Sequence, residues 1–136
     1  MDKKLEELIT YNFVDYNNYL SYEALLNDQV IGTCNYSIDK GKAWLYIVRV
    51  AEPFRKYGIG GNLMKLMEND CALKRVREIE GKYFPQGAED SVVRSFYAKN
   101  GYSIYDEGYE HFVFKSDLQK QNIENLKVTT NKGMEK

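Results

Sequence analysis

Apolar and polar residues alternate in two consecutive stretches near the start of the chain. Leu20, Tyr22, Ala24 and Leu26 fall at every second position, and so do Val30, Gly32, Cys34, Tyr36 and Ile38 beyond the Asn27-Asp28-Gln29 break. A period of two on either side of turn residues predicts a hairpin. After a second turn, Asp39-Lys40-Gly41-Lys42, the apolar run Ala43–Val50 reads as the buried third strand of a meander. Pro53, which has no N–H for a ladder, stops it. The period then changes. Ile59, Leu63, Leu66 and Met67 recur at helical spacing and predict a helix over about 59–73. A strand around Val76–Tyr83 and a Pro85-Gln86-Gly87 break follow. Asp90 or Ser91 then caps a second helix, with Val92, Val93, Phe96 and Tyr97 on its apolar side and Gly101 at C′. Tyr102–Tyr105, a turn at Asp106-Glu107-Gly108 and Tyr109–Lys115 make a closing hairpin.

The ends of the chain read differently. Met1–Thr10 fits a short helix through Leu5, Leu8 and Ile9, and Tyr11–Asn18 an irregular segment or a partial first strand. From Ser116 onward no aromatic occurs, which suggests a flexible tail with room for a short helix near Leu118–Leu126. The expected organisation is a short segment 1–18, a domain 19–115 and a tail 116–136. In order the core elements are β-β-β-α-β-α-β-β, an α+β fold around a mostly antiparallel sheet.

At 136 residues this is one domain with one sizeable core. A net charge of −1, from 19 basic and 20 acidic residues, argues against a nucleic-acid surface. No apolar run reaches the ~18 residues of a membrane span, so no membrane partner is expected. Met1-Asp2-Lys3-Lys4 leads into no signal core, and the two cysteines, Cys34 and Cys71, read as reduced and buried; a cytoplasmic protein is expected. No Cys/His group has metal-ligand spacing, so no metal is expected.

Chemistry concentrates between Val48 and Leu63. Here a buried strand meets a loop with Arg55, Lys56 and Tyr57, then Gly58-Ile59-Gly60-Gly61 opens a helix. N–H groups at a helix N-terminus are unpaired and lie at the positive end of the dipole. Glycines let an anion come close, so the stretch reads as a pyrophosphate cradle. The pattern G-x-x-x-x-G-K-[ST] is absent. G-x-G-x-x-G fails at Leu63, and it belongs to a parallel βαβ unit that the meander contradicts. What remains is R-x-x-G-x-G, met by Arg55, Gly58 and Gly60. Thirty-six residues past Gly60 begins Phe96-Tyr97-Ala98-Lys99-Asn100-Gly101-Tyr102, which matches F-Y-x-K-x-G-F/Y.

With these two motifs in this order, residues 19–115 resemble the GNAT N-acetyltransferase superfamily. The resemblance implies an acetyl-CoA-dependent enzyme with a splayed central sheet, transferring acetyl directly to a primary amine on a small molecule or a protein lysine. It also admits a non-catalytic acetyl-CoA-binding sensor or interaction module. In that family a first strand and two helices precede the hairpin and wall the acceptor site. Only about 18 residues precede Tyr19 here, so either the acceptor side is open or a homodimer covers it.

Acetyl transfer to an amine needs a neutral nucleophile, donors for the oxyanion and a proton for the departing thiolate. The resemblance assigns the donors to backbone along Val48, Arg49 and Val50, the acid to Tyr97 and a phosphate contact to Lys99. For the base, Glu80 is the first choice, beside the central strand; Glu23 and Glu52 are the alternatives. His111, the one histidine, reads as structural, and Cys71 lies too late in its helix to be a nucleophile.

Overall fold

The computed structural model describes residues 3–84 and 90–131, so the Pro85-Gln86-Gly87 break lies outside the described residues. Along the chain run α1 (Lys3–Leu8), β1 (Thr10–Asp15), β2 (Leu20–Leu26), β3 (Gln29–Asp39) and β4 (Lys42–Val50). A 3-10 turn (Glu52–Phe54) leads to α2 (Ile59–Leu73), β5 (Glu78–Tyr83), α3 (Asp90–Lys99), β6 (Ser103–Glu107), β7 (Glu110–Ser116) and β8 (Val128–Asn131). All eight strands form one sheet in the order β6-β7-β5-β4-β3-β2-β1-β8. Pairs β4–β5 and β1–β8 are parallel and the other five antiparallel.

Both longer helices lie on one face. Tyr36 of β3 donates to Asp70 of α2 at 2.6 Å, Lys115 of β7 to Glu68 of α2 at 2.8 Å, and Arg94 of α3 to Asp106 of β6 at 2.7 Å. Under them Tyr36, Leu45, Ile59, Leu63, Met64, Leu66, Met67 and Ile79 are fully buried. Each helix ends in a Schellman cap. In α2 the N–H of Val76 reaches the carbonyl of Cys71 and that of Arg75 the carbonyl of Ala72, with Arg75 at φ 60°. In α3 the pairs are Tyr102 to Tyr97 and Gly101 to Ala98, with Gly101 at φ 89°, the C′ position expected of it.

Three features differ from the pattern-based expectation. Of the two readings of Tyr11–Asn18, the strand forms, but it starts earlier, as β1 over Thr10–Asp15, and only residues 16–19 link it to β2. No helix forms at 118–126. That segment crosses α2, where the Gln121 N–H donates to Asn69 Oδ1 at 3.2 Å, and Leu118, Ile123 and Leu126 pack on the core before β8 joins β1. Finally, Val30 is 55% exposed and Ile31 is buried. Ala24 pairs with Gly32 but Leu25 with Val30, so Ile31 is the extra residue of a bulge that reverses the alternation.

Neither α2 nor α3 reaches the other face of the sheet. Beside β1 it is buried, at Asn12, Val14 and Ser21. From β4 to β6 it is accessible, with Trp44 and Glu80 half-buried and Tyr46 and Tyr105 exposed. We call it the outer face.

Candidate active site

The parallel pair β4–β5 is short. It runs from Lys42–Glu78 to Leu45–Gly81 and stops, although β4 continues to Val50 and β5 to Tyr83. Two features open it at that point. Tyr36 pairs with Leu45 but Asn35 with Ile47, so Tyr46 is the extra residue of a second bulge, in β4. Gly81 is the closest approach of the two strands: a Cβ there would lie 2.5 Å from the Leu45 carbonyl oxygen, so only glycine fits. Beyond the bulge the Ala51 N–H donates to the Ile31 carbonyl at 2.8 Å, on the β3 side. Because successive residues point their peptide groups to opposite edges, Val48 and Val50 turn their N–H and C=O groups toward the gap. Arg49 faces β3 through its backbone and the outer face through its side chain, as its pairing with Thr33 requires.

The loop after β4 returns to that gap. Arg55 Nε donates to the Val50 carbonyl at 2.9 Å, fixing the guanidinium at the end of the strand. Lys56 is exposed and Tyr57 packs against the core. Gly58, at φ 72°, is the N-cap of α2 and makes no side-chain cap. No acidic residue occupies the first turn, so no carboxylate competes there for the N–H groups of Ile59, Gly60 and Gly61. Two of the glycines leave room: a Cβ at Gly58 would meet nothing within 4 Å, and one at Gly61 only Asn100 Oδ1 at 3.8 Å. Gly60 is different. Its Cβ would fall 2.9 Å from the ring of Phe96.

Tyr97 lies on the helix face, next to the end of β5. Its ring centroid is 5.6 Å from that of Tyr83 and 5.9 Å from that of Tyr102. Burial, and then the nearby Cys34 thiol, push its hydroxyl well above the usual tyrosine range, so it stays protonated. Tyr97 is buried, its ring packed among Tyr83, Phe96 and Tyr102. Lys99 is exposed in the last turn of α3, the turn whose Phe96 and Asn100 adjoin the start of α2.

Glu80 is not brought to Tyr97. It pairs with Trp44 one step before the strands part, and strand alternation puts it on the outer face, away from Ile79, Gly81 and Tyr83. There Tyr105 donates to its carboxylate at 2.6 Å, and that bond pushes the Tyr105 phenol up to about 12. Glu23 shares the face and accepts from Tyr16 at 2.8 Å, while Glu52 is exposed in the 3-10 turn. His111 stacks on Tyr83 at 5.0 Å and bonds Asp106 at 2.9 Å. Cys71 is fully buried with its thiol pushed up to about 12 by burial, which makes it inert.

The family model described as an acetyltransferase (GNAT) domain matches residues 17–104, nearly two thirds of the chain, with residues 48–50, 55–61 and 96–100 inside it. The chain belongs to the GNAT acetyltransferase family. Among solved structures it is similar to the PaiA N-acetyltransferase of Thermoplasma acidophilum in complex with coenzyme A. The identity is 25% and the TM-score 0.63, over 71% of this chain and 59% of that one. A GNAT acetyltransferase from Elizabethkingia anophelis with acetyl-CoA bound shares the fold at 19% identity and TM-score 0.60, over 72% and 76%. So does one from Staphylococcus aureus, at 17% identity and TM-score 0.63, over 72% and 67%. The chain spans about three fifths of the Thermoplasma protein's length. No curated protein matches the sequence.

As a GNAT chain it places Val50, Gly60 and Phe96 side by side, with Arg55 on the Val50 carbonyl and Asn100 beside Gly61. The uncapped turn, the room at Gly58 and Gly61 and the nearby cations could hold a pyrophosphate. Sequence reasoning gave Phe96 no role beyond packing and missed Tyr83, Tyr105 and Gly81. For Phe96 the signal was present in the F-Y motif. For Tyr105 there was none, because its partner Glu80 lies 25 residues away.

Proposed function

We propose that this chain is an N-acetyltransferase that moves acetyl from acetyl-CoA directly to a primary amine arriving at the outer face. The observation that carries the proposal is the parting of β4 and β5 at Leu45–Gly81, with the helix cradle and Tyr97 on one face and Glu80 on the other. Bound acetyl-CoA supplies a thioester, activated for attack by nitrogen. Ile59, Gly60 and Gly61 N–H groups, with Arg55, Lys56 and Lys99, hold its phosphates. Val48 and Val50 N–H groups donate to the acetyl oxygen as charge grows on it. Tyr97, held neutral by burial, donates a proton to the sulfur. Glu80 takes the proton of the amine. Placing acid and base on opposite faces keeps the two proton transfers from short-circuiting.

For the acceptor we propose a lysine side chain of a protein. Only residues 16–19 lie between β1 and β2, and the outer face is accessible from β4 to β6, where Tyr46 and Tyr105 are exposed. Its cavity, lined by Trp44, Glu78, Glu80 and Asp39, holds about 200 Å³, below the roughly 300–1,000 Å³ of sites that enclose a small ligand. Register places six carboxylates on this face (Glu23, Asp39, Glu78, Glu80, Glu107, Glu110) against three cations (Lys42, Arg49, Lys82). That surplus attracts an ammonium and opposes a second copy docking the same face.

The test incubates protein and acetyl-CoA with lysine-containing peptides and with small amines, reading free thiol release and peptide mass. Acetylated peptide at rates above the small amines supports both parts. Small-amine turnover alone overturns the acceptor assignment. Acetyl-CoA binding without turnover on any amine would replace catalysis by the sensor reading.

A further inference from the structure

Gly60 is the one cradle glycine without room for a side chain, and what fills the space is α3. A Cβ at Gly60 would lie 2.9 Å from Phe96 Cε1 and 3.2 Å from Cζ, with Val50 Cγ2 third at 3.8 Å. Phe96 immediately precedes Tyr97, and the two rings meet edge to face at 5.3 Å. The turn that carries both is held from several sides. Asn100 Nδ2 donates to the Phe96 carbonyl at 2.8 Å, Lys115 Nζ to the Asn100 carbonyl at 2.9 Å, and the N–H of Tyr102 to the Tyr97 carbonyl at 3.0 Å. These bonds oppose local unwinding of the turn, so a push on Phe96 beyond what its ring takes up by rotating bears on Tyr97.

We infer that Gly60 is a notch that seats Phe96, and that this contact sets the distance between the phosphate cradle and the Tyr97 hydroxyl. Phe96 is thus a positioning residue. The two ends of the site lie on different helices, and this contact sets one against the other. The inference rests on the acetyltransferase reading, and it gives Gly60 a reason separate from phosphate approach, which Gly58 and Gly61 serve with open surroundings.

The test is a double-mutant cycle of Gly60→Ala, Phe96→Leu and the pair. To bring a methyl at Gly60 to ordinary contact of 3.4–4 Å, the ring must retreat by a good fraction of an ångström. Since a misplacement of about 1 Å can cost ~100-fold, Gly60→Ala should lower kcat by roughly ten- to a hundredfold. Its kcat should fall by more than its acetyl-CoA affinity does, and Phe96→Leu, which vacates the notch, should restore most of the lost kcat in the pair. In parallel, the ¹³Cζ resonance of Tyr97, assigned through Tyr97→Phe, should move in Gly60→Ala and return toward its Phe96→Leu position in the pair. Loss of acetyl-CoA affinity with kcat kept, or a Gly60→Ala defect untouched by Phe96→Leu, overturns the inference. If the unmodified protein shows no turnover, the acetyltransferase reading falls, while an unmoved Tyr97 resonance in Gly60→Ala would still refute the notch.

Discussion

Gly61→Asp separates the anion-binding role of the cradle from its role in folding, because the two effects have opposite signs. A Cβ at Gly61 meets only Asn100 Oδ1 at 3.8 Å, so the substitution carries no steric penalty. In the first turn of α2, replacing glycine gains a few tenths of a kcal/mol of helix propensity. A carboxylate beside the uncapped N–H groups adds about 0.3–1 kcal/mol through the dipole. The variant should therefore be as stable as the parent or more so by about 1 kcal/mol. Cofactor binding should move the other way. Two phosphate charges at roughly 6 Å from the carboxylate, at an effective dielectric near 40, cost about 1.4 kcal/mol each, or ~100-fold in Kd. Gly61→Asn, of the same shape without the charge, should lose far less, and raising the salt should narrow the gap. Calorimetric titration with acetyl-CoA and urea unfolding of the three proteins measure both halves. Equal affinity of the Asp and Asn variants would mean that no anion sits at this turn.

Three further outcomes follow from the geometry. Tyr97→Phe should reduce kcat by about 10²–10⁴ with acetyl-CoA affinity retained; because burial holds the phenol protonated well beyond pH 10, the parent should show no loss of rate near pH 10 that disappears in the variant. Glu68 is 3% exposed and accepts from Lys115 at 2.8 Å and Tyr102 at 2.8 Å, so Lys115→Met, which strands the carboxylate, should cost about 3–5 kcal/mol in urea unfolding. Adding Glu68→Leu should recover part of that; an additive loss would contradict the pairing. Burial raises the phenols of Tyr22, Tyr36, Tyr97 and Tyr102, which keep protons that the unfolded chain gives up above pH 10. Their contribution is complete below pH 10 and is lost as pH rises beyond it, by about 1.4 kcal/mol per pH unit for each. An unfolding midpoint unchanged between pH 9 and 11 would show that these rings ionise in the folded state.

Local rules accounted for the elements and for the cradle. Ile59, Leu63, Leu66 and Met67 define α2 by period alone, and Gly101 marks the end of α3 because a residue without a Cβ takes the αL conformation at least cost. Arg55, Gly58, Gly60 and Tyr97 stood out because each sits within a motif a few residues long. Where the reading failed, a distant partner had decided. Residues 128–131, Val-Thr-Thr-Asn, are too short a run to declare a strand by pattern, yet they form β8 because the edge of β1 was open to them. Val30 and Ile31 exchanged faces through a bulge, which is a property of the pair β2–β3 and not of either strand.

The site divides in the same way. Sequence by itself determined which groups are present: a glycine-rich helix start, two loop cations, a motif tyrosine and a carboxylate beside the central strand. Tertiary structure decided their relations. It parted β4 from β5 at Gly81, set Glu80 on the face opposite Tyr97, and gave Gly60 to Phe96. Periodicity tells which side of its own element a residue takes. It carries no information on which other element will be found there, and that depends on pairings 20 to 100 residues apart.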